Sequence, residues 1–189
     1  MDSNKVILVD ETDAVLGEMD KMEAHIKGQL HRAISVFIFN SRGQWLLQRR
    51  AMDKYHSGGL WTNSCCSHPA PGESTMDAAN RRLREEMGME TTLYSAFSFI
   101  YRAEFDNNLI EHELDHVFVG YSNADPILNH DEAMDFTYET YQNIETGIRN
   151  NPQNYSAWFK KVANRINDFV SANKNLNPYT QKEDANKLC

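Results

Sequence analysis

The segment from Ser74 to Gly88 has the clearest helical pattern in the chain. Of all the sequence features, this predicted helix most restricts the folds that the chain can adopt. Ser74 followed three residues later by Asp77 is a capping-box pattern for a helix start, and Gly88 is a typical stop. Between them, apolar residues recur at helical spacing at positions 76, 79, 83 and 87. We therefore expect an amphipathic helix that packs one face on a core.

Strands are predicted where β-branched and aromatic residues cluster, namely at residues 6–9, 33–39, 45–50, 97–105, 109–121 and 134–138. The turn-forming sequence "NSRGQ" separates the second and third of these and predicts a hairpin. Helical spacing returns near residues 139–150 and 155–172. The mixture indicates an α/β (α+β) fold with layered α/β/α packing. We expect one domain over residues 1–172, with a polar, flexible tail at residues 173–189.

The net charge limits the classes of molecule that the chain can bind, and the cysteine content and apolar runs limit its cellular compartment. A formal net charge of −8 disfavours nucleic acid and anionic membranes, because both are bound mainly through Lys and Arg. No apolar run approaches the roughly 18 residues of a membrane span, and the acidic start with its short apolar run at 6–9 is unlike a secretory signal. A cytoplasmic chain is expected. Adjacent Cys65 and Cys66 cannot readily form a structural bridge, so they and Cys189 are expected as free thiols.

Three histidines and two glutamates are candidate metal ligands: His25, His31, His68, Glu111 and Glu113. On a strand, Glu111 and Glu113 point to the same face, where they repel each other unless a cation lies between them. Imidazole and carboxylate ligands together suit Mn²⁺, Mg²⁺ or Zn²⁺, although Zn²⁺ prefers four ligands. Spacing alone favours a simpler interpretation, in which His25 and His31 lie on the surface near a helix end, His68 caps a turn before Pro69 and the two glutamates lie on a solvated sheet face.

The stretch "WTNSCCSHP" at residues 61–69 raises a separate question about its sulfur atoms. It lacks the spacing of a structural zinc site. Cys66 can be a nucleophile, a proton donor or a packed thiol. A thiol in an apolar pocket, lined for example by Trp61 and Trp158, has a raised pKa and stays protonated, which opposes the first role.

Basic residues lie at and just beyond the end of the predicted strand at 45–50, and others alternate with acids on the predicted helix. Arg49, Arg50 and Lys54 form the first group, and the second lies in "NRRLREEMG". A solvated helix face is the simpler interpretation of such alternation. Glu86, however, borders the apolar stripe and can point inward, where a carboxylate beside cations can hold hydrated Mg²⁺ against a diphosphate.

Taken together, the motifs resemble type 1 isopentenyl diphosphate isomerases of the Nudix superfamily. They are, in order, "LHRAISVFIFNSRG", "QRRAMDK", "GLWTNSCCSHP", "AANRRLREEMG", "YRAEF", "EHELDHVF" and "YSAWF". The resemblance runs from about Val6 to about Ile166, and "WTNSCCSHP" and "EHELDHVF" are its most specific parts. It implies a Nudix-type α/β/α sandwich with a mixed sheet. It also implies reversible isomerisation of isopentenyl diphosphate to dimethylallyl diphosphate in isoprenoid biosynthesis.

The resemblance also assigns roles to single residues. It implies that Cys66 and Glu113 are the catalytic pair and that Tyr101 assists beside Glu113. It implies one site for Mn²⁺ or Mg²⁺, with Zn²⁺ as a further candidate, at His25, His31, His68, Glu111 and Glu113. A second Mg²⁺, carried in with the diphosphate, would be held by Glu86 and the backbone carbonyl of Cys66. Neither a flavin nor a nicotinamide cofactor is expected.

The implied partner is a small-molecule diphosphate, bound by a protein that is a monomer or a weak homodimer. The residues that match positions contacting the diphosphate are Lys21, Arg50, Lys54 and Arg82. Trp158 matches an aromatic residue that faces the alkene carbons, whereas Cys65 matches a position without a catalytic role.

The sequence departs from the Nudix hydrolase signature at two positions. Ser67 replaces its first Gly, and Arg82 replaces a Glu, while Glu73, Arg81, Glu85, Glu86 and Gly88 match. Replacing a metal-binding acid by a cation disfavours hydrolysis. Two alternatives remain: a Nudix pyrophosphohydrolase, and a Nudix-fold protein that binds an anion without turnover.

Overall fold

The computed structural model describes residues 4–105 and 107–180. Its strands are β1 (Lys5–Val9), β2 (Val15–Asp20), β3 (His31–Phe39), β4 (Trp45–Arg50), β5 (Trp61–Thr62), β6 (Cys65–Ser67), β7 (Leu93–Glu104), β8 (Ile110–Tyr121) and β9 (Ala133–Glu139). Its α-helices are α1 (Lys21–Lys27), α2 (Thr75–Met87), α3 (Tyr141–Asn150) and α4 (Ala157–Ala172), with 3-10 turns at Pro152–Asn154 and Lys174–Leu176. The described strands belong to one mixed sheet.

Strand β3 is the centre of that sheet. Along one edge it pairs in parallel with β8, from His31 opposite Glu113 to Phe39 opposite Tyr121. Along its other edge it pairs antiparallel with β1, β6 and β4 in succession. Strand β7 extends the sheet beyond β8, and β9 extends it beyond β4. Residues far apart in sequence therefore become neighbours along β3.

Alternate side chains of β3 enter two cores. Phe37 and Phe39 belong to a cluster that also contains Phe159, Val162 and Ile166 of α4. The intervening residues of β3 belong to a second cluster with α2, formed in part by Ile34, Val36, Ile38, Ala79, Leu83 and Met87. This period of two is that of a strand buried on both faces. The predicted α/β/α sandwich with a mixed sheet is confirmed.

Helix α2 begins and ends where the sequence predicts. The Ser74 hydroxyl oxygen accepts a hydrogen bond from the Asp77 backbone N–H at 3.1 Å, which caps the first turn. At the other end Gly88 has a φ of 61° and donates its N–H to the Arg84 carbonyl. Glycine suits this left-handed position. A Cβ there would also lie 2.8 Å from Ile127.

The predicted hairpin of β3 and β4, the pair β7 and β8, and strands β1 and β9 are confirmed, as are α3 and α4. Strand β7 starts at Leu93, earlier than predicted. The sequence did not predict β2, α1, β5 or β6, which are too short for their periodicity to show. Cys66 lies on one of these short strands, β6.

The structure describes the first residues of the segment predicted as a polar tail, up to residue 180. Leu176 and Tyr179 pack against the core cluster of α4, because the polar segment around them still supplies two apolar side chains. Residues 181–189 of that tail lie outside the described part of the chain. Among the described residues, no helix is both long and apolar enough to cross a membrane.

Candidate active site

A cavity of about 280 Å³ brings together most of the candidate residues. Its lining includes Lys21, Arg50, Lys54, Cys66, His68, Arg82, Tyr101, Glu111, Glu113 and Trp158. Three further candidates, His25, His31 and Glu86, are buried outside the lining. Each of these three lies within 4 Å of a residue that lines the cavity.

Three imidazoles converge on one carboxylate oxygen at the start of β3. Oε1 of Glu113 lies 3.0 Å from Nε2 of His68, 3.5 Å from Nε2 of His31 and 3.9 Å from Nε2 of His25. The ligand atoms of all four residues lie within 4.8 Å of one another. His31 and Glu113 meet because they are paired across β3 and β8. His25 and His31 are fully buried, so the interpretation of surface histidines is wrong.

The protonation pattern of this cluster fits a bound cation. Nδ1 of His25 donates to the Lys21 carbonyl at 2.7 Å, and Nδ1 of His31 donates to the Gln29 carbonyl at 2.8 Å. Both Nε2 atoms are then left with lone pairs that face the cluster. Nε2 of His25 is buried without a hydrogen-bond partner, and Nε2 of His31 lies 3.2 Å from Nε2 of His68. A divalent metal would satisfy all three nitrogen atoms.

Burial keeps the imidazoles in the neutral form that binds metal. It lowers the pKa of His68 to about 3 and also lowers the pKa of His25. The Glu113 carboxylate is instead held in its charged form. Although burial favours its neutral form, the neighbouring imidazoles of His31 and His68 hold its pKa well below the ordinary value. The cluster therefore combines neutral nitrogen ligands with an ionised carboxylate.

Glu111 lies beside this cluster rather than within it. The Tyr101 hydroxyl contacts Oε2 of Glu113 at 2.5 Å and Oε2 of Glu111 at 3.2 Å, so it bridges the two carboxylates. Burial, and then the charge of Glu113, raise the pKa of Glu111 well above its ordinary value. The predicted pairing of the two glutamates on one strand face is confirmed by their shared contact with Tyr101.

The two neighbouring cysteines point in opposite directions. Cys65 is fully buried in the core cluster with α2, whereas Cys66 lines the cavity. Both are free thiols, as expected, and Cys189 lies outside the described residues. Burial raises the pKa of Cys66, although the nearby Arg50 guanidinium opposes that shift. Nη1 of Arg50 lies 3.6 Å from the Cys66 sulfur.

Trp158 forms part of the same wall. The Arg50 guanidinium carbon lies 5.2 Å from the centroid of its ring. Nε1 of Trp158 donates to Oδ1 of Asn63 at 2.9 Å, which fixes the ring plane. The π face of Trp158 is thus held ready for a cation.

The cations expected to contact a diphosphate lie together, and two of them, Lys54 and Arg82, share a counter-ion that the sequence did not predict, Glu132. Its Oε1 accepts from Nη2 of Arg82 at 3.0 Å, and its Oε2 contacts Nζ of Lys54. Lys21 lies nearby with its Nζ 4.7 Å from the Tyr55 ring centroid. Burial, and then repulsion from Lys54 and Arg82, lower the pKa of Lys21. The cavity therefore has a strongly positive wall.

Glu86 supports that wall from α2. Its Oε1 accepts from Nη2 of Arg82 at 3.0 Å, and its Oε2 accepts from Nε2 of Gln48 at 3.0 Å. It is 2% exposed, so the interpretation of a wholly solvated helix face is wrong at this position. Burial raises the pKa of Glu86.

Sequence reasoning missed Tyr55, His56 and Glu132, which all line the cavity. Tyr55 and His56 follow Lys54 directly, and their adjacency to that cation was the available signal. Nothing local marks Glu132, because its role depends on the pairing of β9 with β4, where Arg50 lies opposite Ala133.

Comparison with known proteins identifies a fold family and, within that family, a more specific group of relatives. Residues 29–159 match the NUDIX domain model. An isopentenyl-diphosphate Delta-isomerase of Pectobacterium atrosepticum is 52% identical over 92% of this chain and 97% of its own length. Isopentenyl-diphosphate Delta-isomerase 2 of Aromatoleum aromaticum is 51% identical over 90% of both chains.

A solved structure agrees at the level of the fold. A Deinococcus radiodurans protein superimposes with a TM-score of 0.72, at 22% identity, over 85% of this chain and 98% of its own. The chain therefore belongs to the NUDIX domain family and, within it, to the isopentenyl-diphosphate Delta-isomerases.

Proposed function

We propose that the protein is an isopentenyl-diphosphate Delta-isomerase that interconverts isopentenyl and dimethylallyl diphosphate in isoprenoid biosynthesis. The observation that carries this proposal is that the Cys66 thiol and the Glu113 carboxylate line one cavity whose wall also bears the cationic side chains of Lys21, Arg50, Lys54 and Arg82. A proton-exchanging pair beside an anion site is what isomerisation of an alkenyl diphosphate requires.

The reaction moves one double bond without a net change in atoms. A proton adds to the terminal alkene carbon, which creates a tertiary cation, and a different proton leaves the methylene carbon on the diphosphate side. We assign these two transfers to Cys66 and Glu113. Tyr101 assists, since its hydroxyl lies 2.5 Å from Glu113. An unactivated alkene requires both groups to be held in position, because the cation is high in energy.

Trp158 is assigned to stabilise that cation. Interaction with an aromatic face is worth about 2 kcal/mol when both partners are desolvated. The position of Arg50 over the ring supports this role, since it shows that the face of Trp158 accommodates a cation. Trp158 is 2% exposed, so it also helps to exclude water that would trap the cation as an alcohol.

The charged wall is assigned to the diphosphate. Lys21, Arg50, Lys54 and Arg82 would bind its oxygens, with charge-assisted hydrogen bonds from the guanidinium groups. Glu86 and the backbone carbonyl of Cys66 would hold the Mg²⁺ that enters with the substrate. Magnesium at diphosphates typically takes one or two carboxylate ligands.

The second metal is assigned to His25, His31, His68, Glu113 and Glu111. Mixed nitrogen and carboxylate ligands favour Mn²⁺ or Mg²⁺ over Zn²⁺ if all five residues bind. When bound, this metal supplies a positive charge that holds Glu113 in its ionised form. We further propose a cytoplasmic protein, in keeping with the free thiols of Cys65 and Cys66, that acts as a monomer or weak homodimer.

The proposed function is tested by NMR of the purified protein with isopentenyl diphosphate and Mg²⁺ in D₂O. Dimethylallyl diphosphate that carries solvent deuterium is the expected product. Release of phosphate or pyrophosphate would instead identify a hydrolase, which Arg82 disfavours. Unchanged substrate that nevertheless binds to protein with a full metal site would identify an anion-binding protein and overturn the proposal.

A further inference from the structure

His56 is a buried cavity residue that the proposed chemistry does not use. It lies between β4 and β5, and its side chain is 3% exposed. Its ring stacks on Phe105 with centroids 4.7 Å apart and an interplanar angle of 14°. Its edge approaches Trp158 at 6.0 Å, and its carbonyl accepts from Nη2 of Arg50 at 3.4 Å. Contacts on several sides therefore fix where this ring points.

The ring points one nitrogen atom at Glu111. Nε2 of His56 lies 3.0 Å from Oε1 of Glu111. The two atoms lack the alignment of a hydrogen bond, so Nε2 remains a buried polar atom whose hydrogen bonding is incomplete. Nδ1 lies 3.3 Å from the Ser57 hydroxyl. If that hydroxyl donates to Nδ1, the proton of a neutral ring resides on Nε2 and faces Glu111.

Glu111 needs such a donor more than Glu113 does. The Tyr101 hydroxyl has one proton, and it lies closer to Glu113 than to Glu111. Glu113 also contacts His68 at 3.0 Å. A metal-binding carboxylate is normally oriented by hydrogen bonds to its other oxygen atom, and losing such a partner typically costs about 10- to 100-fold in metal affinity.

We propose that His56 is a positioning residue: when Glu111 turns to bind the metal of the His/Glu cluster, its Oε1 comes into line with the Nε2–H of His56 and accepts the hydrogen bond that holds the carboxylate in that orientation. This inference rests on the proposed metal role of Glu111. It extends the functional site to a residue beyond the metal ligands and the catalytic pair.

The test is titration of Mn²⁺ into the metal-stripped full-length protein, with free Mn²⁺ measured by electron paramagnetic resonance. His56→Gln places an amide N–H near the position of Nε2, whereas His56→Asn places it near Nδ1, too short to reach Glu111. We expect His56→Asn to weaken Mn²⁺ binding about 10- to 100-fold and His56→Gln to restore most of the affinity. Equal affinities for the two variants, at either the wild-type or a weakened level, would overturn the inference.

The same titration in a Glu111→Gln background separates this inference from the proposed metal site. His56→Asn should add no further loss there, because its partner has changed, and an additional full loss would contradict the inference. If Glu111→Gln binds Mn²⁺ as tightly as the wild type, the metal role of Glu111 fails. If Glu111→Gln weakens binding but His56→Asn does not, only the role of His56 fails. Circular dichroism of each variant establishes that it is folded.

Discussion

Cys66 and Glu113 lie on strands that flank opposite edges of β3, and both point to the same face of the sheet. Cys66 is paired with Ser35, and Glu113 is paired with His31. Because His31 and Ser35 are four residues apart on one strand, all four side chains share a face. The proposed catalytic pair therefore approaches a substrate from two sides of β3, and its separation is fixed by backbone pairing rather than by loops.

The adjacent thiols should respond very differently to substitution. Cys66→Ala is expected to lower kcat by about 10²–10⁴, the usual contribution of a proton-transfer group, without loss of bound metal. Cys65→Ala should retain near wild-type kcat and lose about 1 kcal/mol of stability, since it removes only a buried sulfur atom. Steady-state kinetics and metal analysis check this. Similar kcat losses for both variants would contradict the assignment.

Metal binding at the His/Glu cluster should stabilise the fold. Ligand at about 100 times its Kd adds about 2.7 kcal/mol to the free energy of unfolding, so removing the metal with a chelator should lower the Tm. In Glu113→Gln the chelator is expected to leave the Tm unchanged, because Oε1 of Glu113 is the atom on which the imidazoles converge. Glu104→Gln, a change of the same kind at an exposed position, serves as the control. A chelator effect that persists in Glu113→Gln would move the site elsewhere.

Glu132→Gln should separate substrate binding from chemistry. Its carboxylate contacts both Lys54 and Arg82, so its loss frees two cations that must be ordered for the diphosphate. We expect KM to rise about tenfold, which corresponds to about 1.4 kcal/mol, with kcat nearly unchanged. Asp135→Asn, at an exposed position three residues further along on β9, is the matched control. A fall in kcat with constant KM would assign Glu132 to the chemistry instead.

The ion pair of Glu73 and Arg81 should make stability depend on pH. Nε and Nη2 of Arg81 donate to the two oxygens of Glu73 at 2.7 and 2.8 Å, and these bonds lower the pKa of Glu73 below its ordinary value of 4.5. A depressed folded-state pKa contributes stability above the unfolded value and loses it as the pH falls through the folded value.

Glu73→Gln is therefore expected to cost about 1–2 kcal/mol at neutral pH, between the values for exposed pairs and buried charged hydrogen bonds. The difference from the wild type should shrink as the pH falls below 4.5, the value of the unfolded group. Urea denaturation across this range measures it. Glu90→Gln, at an exposed ion pair, should show little change. A constant difference at every pH would mean that Glu73 acts through packing alone.

Short-range sequence patterns predicted the helices and strands that are stabilised mainly by contacts between neighbouring residues. The N-cap and apolar periodicity of α2, and the turn residues between β3 and β4, are patterns of neighbouring residues. The predicted helix and the predicted hairpin are both confirmed. The elements β2, α1, β5 and β6 are too short for a periodic pattern to reveal them, and β6 also depends on pairing with β3. His25 on α1 and Cys66 on β6 were accordingly recognised as candidates from residue type, and their roles were predicted from the family motifs.

Sequence by itself determined the fold class, the family and the candidate ligands, because helix capping, strand composition and motifs are properties of neighbouring residues. Only the tertiary structure decided how those residues meet. The register of β3 against β8 and β6 brings His31 to Glu113 and sets Cys66 across the strand, and the pairing of β9 with β4 brings Glu132 beside Lys54 and Arg82. The burial that shifts the pKa values of His68 and Glu111 likewise exists only in the folded chain, since it depends on contacts between distant segments.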